Sequence, residues 1–143
     1  MRKRRERQEA IRKIVRRERV RTQRDLVERL AQHGFECTQA TVSRDIADMG
    51  LKKLPEGVYV LAEDLHLQRM IAELVTSVVR SDQLVLVKTS AGAGQGVAAA
   101  LDGAELDEIL GSIAGDDTIL IIARSTEDAE AVTDSIMKFR GQH

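Results

Sequence analysis

Glu108-Ile109-Leu110-Gly111-Ser112-Ile113-Ala114-Gly115-Asp116-Asp117-Thr118-Ile119-Leu120-Ile121-Ile122-Ala123 runs from one apolar segment through a glycine and two adjacent aspartates into another. Residues 108 to 113 can pair as a strand, and Thr118 to Ala123 is a continuous apolar run of the kind buried on both faces. A hairpin turn between them is the plain reading, because glycine supplies unusual backbone angles and aspartate bonds back to its own chain. A second reading stands beside it. If Ile119 to Ile122 is covered on both sides, Asp116 and Asp117 lie at the edge of a core or a subunit interface. Unpaired charge there is costly, and a cationic ligand would offset the cost.

Upstream of the hairpin, Leu67, Met70, Ile71, Leu74, Val75 and Val78 fall on one face of a helix expected over Leu65 to Val79. Leu84 to Val87 reads as a short buried strand, followed by the glycine loop Thr89 to Gly96 and a small-residue helix over Val97 to Leu101. Gly92 and Gly94 fit the first two positions of a dinucleotide fingerprint, but Val97 occupies the third and no P-loop lysine follows. Downstream, Ser125 caps a last helix, Asp128 completes a box-like spacing, and Ala129, Val132, Ile136 and Phe139 form its inner face. The expected order is helix, strand, helix, strand, strand, helix, a small α+β layer.

The charge splits by position. Residues 1 to 61 hold 16 Lys and Arg against 9 Asp and Glu, a balance of +7, while residues 62 to 143 hold 6 against 14, a balance of −8. A basic half suits a polyanion, and an acidic half suits something else. Three helices are expected in the basic half. Arg4 to Arg19 carries Ala10, Ile11, Ile14 and Val15 on one face; Thr22 opens a second helix, with Asp25 three residues on and Leu26, Val27 and Leu30 inward, closed at His33-Gly34. Thr38 caps a third, Gln39 to Met49, ending at Gly50.

In that third helix Val42, Ile46 and Met49 fall at i, i+4 and i+7, so Ala40, Ser43, Arg44 and Ala47 turn outward with Gln39 and Thr41 on the flanks. Such a face is either ordinary solvated surface or one suited to a major groove. It has little bulk, a guanidinium for guanine edges or phosphate, and hydroxyl and amide groups for bases and backbone. The short second helix, the tight turn and the +7 balance favour the groove. Leu51 to Leu54 and Val58 to Leu61 flank Pro55-Glu56-Gly57 as a two-stranded wing, giving the winged helix-turn-helix order. Lys52 and Lys53 can touch phosphates, or simply protect an edge strand. With Phe35, Tyr59 and Phe139 as the only aromatic residues, stacking platforms for single strands are lacking, and duplex DNA is the expected partner.

The domain organisation expected is therefore a DNA-binding domain over residues 1–61, a linker at 62–64, and a ligand-binding and oligomerisation domain over 65–143. Each half is small enough to gain from oligomerisation. A lone Cys37 permits no internal disulfide, which fits a reducing cytoplasm and a packing role for the thiol. The amino terminus lacks an apolar signal region, and no run is long enough for a membrane. His33, His66 and His143 show no metal-ligand spacing, and no nucleophile, base or metal constellation points to catalysis. The competing class is a metabolic enzyme with an accessory DNA-binding module.

Thr38-Gln39-Ala40-Thr41-Val42-Ser43-Arg44-Asp45-Ile46 together with Gly111-Ser112-Ile113-Ala114-Gly115-Asp116-Asp117-Thr118 resembles the bacterial arginine repressor family, and the likeness covers nearly the entire chain. The resemblance implies a cytoplasmic repressor acting on operator duplex DNA as a hexamer, a dimer of trimers built from carboxy-terminal domains. It implies L-arginine as co-repressor, with no other cofactor. By position, Asp116 and Asp117 resemble the carboxylates that hold the ligand, and Gln95 and Asp102 its further polar contacts. Ala91 stands where family members often carry proline. Arginine's planar fork of donors matches carboxylates bidentately, which agrees with the double aspartate. The same architecture also admits a regulator responding to another cationic metabolite.

Overall fold

Thr22, Thr38 and Ser125 each convert an expected helix start into a hydrogen bond. Their hydroxyl oxygens accept from the backbone N–H of Asp25 at 2.9 Å, Thr41 at 3.2 Å and Asp128 at 3.0 Å. The structure, a computed structural model that describes residues 2–141, divides between Ala62 and Glu63 into two compact units.

The first unit comprises α1 (Arg2–Arg17), α2 (Gln23–Gln32), α3 (Gln39–Met49) and the antiparallel wing strands β1 (Leu51–Lys53) and β2 (Tyr59–Leu61), a winged helix-turn-helix. Gly34 and Gly50, at φ +88° and +68°, end α2 and α3 in the left-handed conformation that glycine adopts without steric cost. Ile11, Ile14 and Val15 of α1 pack with Val20, Leu26 and Leu30, Val42 of α3, and Tyr59 and Leu61 of the wing. Burying a side chain the size of Leu26 or Ile11 is worth ~1.5–3 kcal/mol, so this small core is enough to fix where α3 lies.

The second unit comprises α4 (Ala62–Leu74), β3 (Val75–Ser81), β4 (Leu84–Thr89), α5 (Gly94–Ala104), β5 (Ile109–Ala114), β6 (Thr118–Ala123) and α6 (Thr126–Arg140). Its order is helix, strand, strand, helix, strand, strand, helix, one strand more than the sequence reading. The α+β class stands, but the expected helix to Val79 stops at Leu74, and Val75 to Ser81 forms an edge strand paired with β4. The apolar spacing of Leu74, Val75 and Val78 fits a helix as well as a strand. The β-branched run Val75-Thr76 and Val78-Val79 decides for the strand, with a hairpin at Asp82-Gln83 in which Asp82 takes φ +52°. Residues 62–64, expected as a linker, form the first turn of α4, where the charges of Glu63 and Asp64 favour the helix N-terminus. α5 is also longer than expected, starting in the glycine loop at Gly94.

The four strands run β3-β4-β6-β5, every neighbour antiparallel. Along β4 and β6 burial alternates. Val85, Val87 and Thr89, with Ile119, Ile121 and Ala123, face a core shared with Leu67 and Ile71 of α4, Val97 and Leu101 of α5, and Val132 and Ile136 of α6. Within the described residues of the second unit the opposite face is left uncovered. Leu84 and Leu86 are exposed there, and Val79 and Ile113, paired opposite Leu86 and Leu120, are 60% and 68% exposed. The runs expected to be buried on both faces are thus covered on one face only within the second unit, because its three helices pack on the same side of the sheet.

Candidate functional site

On α3 the structure turns Gln39, Ala40, Ser43, Arg44 and Ala47 to solvent, while Val42 is buried and Ile46 and Met49 are partly so. Thr41 is half-buried, and its hydroxyl lies 3.0 Å from that of Thr38, so it also closes the cap. One residue of this helix was not anticipated by the apolar pattern. Asp45, 1% exposed, points inward against α1. Arg7 grips it with two donors, Nε to Oδ2 and Nη2 to Oδ1, the latter at 3.0 Å, and Gln8 donates to Oδ1 at 3.1 Å.

Burial pushes the Asp45 carboxyl up, but the hydrogen bonds from Arg7 and Gln8 and the charges of Arg7 and Arg4 outweigh it, leaving the group below its ordinary value. The Asp45 bond raises the Arg7 guanidinium in turn. Arg4 meets Asp48 one turn further along, at 2.5 Å. The consequence for the surface is electrostatic. Both carboxylates of α3 are paired with α1, and Arg44 remains as the cation of the outward face. On the wing Lys52 and Lys53 are exposed, and as strand neighbours they point to opposite faces. The ammonium of Lys53 sits 5.2 Å from the centroid of the Tyr59 ring.

In the second unit the glycine loop and the double-aspartate turn meet. Gly94 donates its N–H to the carbonyl of Asp116 at 2.9 Å, and Gly92, at φ +81°, donates to the Asp116 carboxylate at 3.1 Å. A Cβ at position 94 would lie 2.2 Å from the carbonyl oxygen of Gly115, so no other residue fits this crossing as it stands. The close approach that this glycine permits is to the Gly115–Asp116 backbone, which accounts for the fragment of a dinucleotide pattern without a phosphate.

Gln95 and Asp102 lie at i and i+7 on α5, and both reach β5. The Gln95 amide donates to the Ala114 carbonyl at 2.9 Å, and the Ser112 hydroxyl donates to Asp102 at 3.4 Å. Asp116, Asp117, Gln95 and Asp102 are all exposed. Within one chain the carboxylates therefore carry no desolvation cost, and of the two places expected for them, the edge of a core or a subunit interface, the single chain supplies no covered core edge. The Thr118 hydroxyl donates to Asp117 at 2.8 Å and accepts from Lys88 at 2.7 Å, a lysine with no signal in the sequence pattern. Among the described residues no group of three or more His, Cys, Asp or Glu could hold a metal ion, and no helix is long and apolar enough to cross a membrane.

This pairing of a winged helix-turn-helix with a glycine-clamped aspartate turn has close counterparts. The family model for the arginine repressor DNA binding domain matches residues 2–67, and that for the arginine repressor C-terminal domain matches residues 71–138. The chain belongs to the arginine repressor family. An arginine repressor of Thermus thermophilus is 50% identical over 140 residues, spanning 90% of this chain and 85% of its own. The arginine repressor of Carboxydothermus hydrogenoformans is 44% identical over 137 residues, with 88% and 91% covered, and that of Deinococcus radiodurans 40% over 138, with 89% and 88%. Membership makes the protein a DNA-binding transcriptional regulator, not an enzyme.

Proposed function

We propose that this member of the arginine repressor family is an L-arginine-responsive repressor of arginine biosynthesis, with activation of arginine catabolism as its counterpart activity, and that it binds operator duplex as a dimer of trimers. The observation that carries the reading is the Gly94 crossing. It holds Asp116 and Asp117 beside the start of α5, with Gln95 in the helix's first turn and Asp102 two turns further on, and all four are exposed. Two exposed carboxylates and two further polar groups suit a guanidinium and an α-amino group, and a second copy packed over them would supply the dry surroundings in which such bonds strengthen.

The uncovered sheet face supports self-association of the second unit. Val79, Leu84, Leu86, Ile113, Leu120 and Ile122 make it apolar, and monomeric proteins rarely leave such a patch to water. In the first unit, Gln39, Ala40, Thr41, Ser43 and Arg44 would enter the major groove and Lys52 and Lys53 would meet phosphates beside it. We take residues 1–61 as the DNA-binding domain and 65–143 as the effector and assembly domain. Calorimetric titration of the protein with a panel of free amino acids tests the effector assignment. L-arginine should give saturable heat that the neutral amino acids do not, and equal heats across the panel or none for L-arginine would reject it.

A further inference from the structure

The wing is tied back to the segment between α1 and α2 at two points. Tyr59 of β2 donates its backbone N–H to the Val20 carbonyl at 2.9 Å, which ties β2 to the chain at residue 20. One residue on, the Arg21 guanidinium donates through Nη1 to the carbonyl of Glu56 at 2.8 Å, in the turn that joins β1 to β2. Two short-range bonds also hold that turn. Leu54 donates to the Val58 carbonyl at 2.9 Å and Gly57 to Leu54 at 2.7 Å, with Gly57 at φ +89°. Pro55 and Glu56 are exposed.

We infer that Arg21 is a positioning residue for DNA binding, which clamps the wing tip by its Glu56 bond and so sets where Lys52 and Lys53 stand relative to the outward face of α3. The clamp reaches across from the segment that leads directly into the Thr22 cap of α2. It therefore references the wing to the same helix pair that carries α3. A two-stranded ribbon on its own is marginally stable in water, so its tip position depends on such ties. Arg21 is also exposed and cationic, and the rival role is a direct phosphate contact.

A double-mutant cycle separates the two. The full-length protein first selects an operator duplex from a random-sequence pool, and affinity for that duplex is then measured for wild type, Arg21→Ala, Lys52→Ala/Lys53→Ala, and the triple variant, each checked for an unchanged melting transition of the DNA-binding unit. A positioning role predicts that Arg21→Ala weakens binding about fivefold in the wild-type background, the scale of one hydrogen bond. In the background lacking both lysines the same change costs almost nothing. A direct phosphate contact gives the same loss in both backgrounds and a salt slope lower by about one. Equal losses overturn the inference, as would a lysine double variant that binds as tightly as wild type.

Discussion

Arg7 of α1 and Asp45 of α3 form a charge pair that water hardly reaches, and it places α3 by electrostatics as well as by packing. Removing one partner leaves the other charged group without its counter-charge, which costs far more than the pair contributes over an apolar substitute. Arg7→Met should destabilise the first unit by ~3–5 kcal/mol, read from urea unfolding of the full chain.

The same pair gives the first unit an acid limit of defined sign. The Asp45 carboxyl is held below its ordinary value in the folded state, so its contribution is fully present above the unfolded carboxylate pKa of about 3.9 and is lost as pH falls through the lower, folded one. The melting temperature of wild type should drop over that window more steeply than that of Asp45→Asn. A parallel decline in the two proteins would rule out the linkage.

Arg44 is the one cation on the outward face of α3, and its side chain makes no ion pair with the described residues. If it reads a base edge, Arg44→Ala should cost ~1–3 kcal/mol in operator affinity and flatten discrimination at one position. Selection from a random pool by both proteins checks this, and unchanged preference would refute it.

At position 94 the expected effect comes from backbone, which cannot yield as a side-chain tip can. Gly94→Ala should strain the crossing by ~1–3 kcal/mol and displace the Asp116–Asp117 turn, lowering L-arginine affinity with little change in the DNA-binding unit. Gly103→Ala, with nothing within reach of its Cβ, serves as the control.

How far these sites were legible in the sequence depended on the range of the interactions that make them. Caps act over three residues, so Thr22, Thr38 and Ser125 were readable, and α3 has the bounds expected for it. Glycine turns and outward faces follow from local periodicity in the same way. Asp45 was not readable, because its partners lie 37 and 38 residues away on another helix. β3 was missed because four apolar residues between Leu74 and Val79 satisfy both periods. The glycine loop was visible as a loop, but only the fold shows that Gly94 meets the Gly115–Asp116 turn. Lys88 reaches the turn through strand pairing opposite Thr118, which no single-strand pattern predicts.

On the proposed reading the effector site and the DNA-binding face lie in different units, and the two are expected to be coupled. If L-arginine favours the assembled form, multivalent attachment raises operator affinity without new base contacts, and linkage requires DNA to tighten arginine binding by the same factor. Asp117→Asn keeps the shape and removes a charge, so it should reduce both effects together. Operator affinity with and without L-arginine, measured beside sedimentation, decides; a variant that responds as strongly as wild type would refute the coupling.

If the proposed self-association covers the bare apolar face of the sheet, the chain's durability becomes a matter of how many copies surround it. Each copy would then bury Leu84, Leu86 and Ile113, which are exposed in the single chain, by meeting another, so the melting temperature should climb with protein concentration and Ile113→Lys should abolish that climb. Newly made chains at low abundance would spend longer with this face wet, and would be the ones removed by proteolysis. The supply of repressor would then carry its own threshold, below which copies are lost before they assemble.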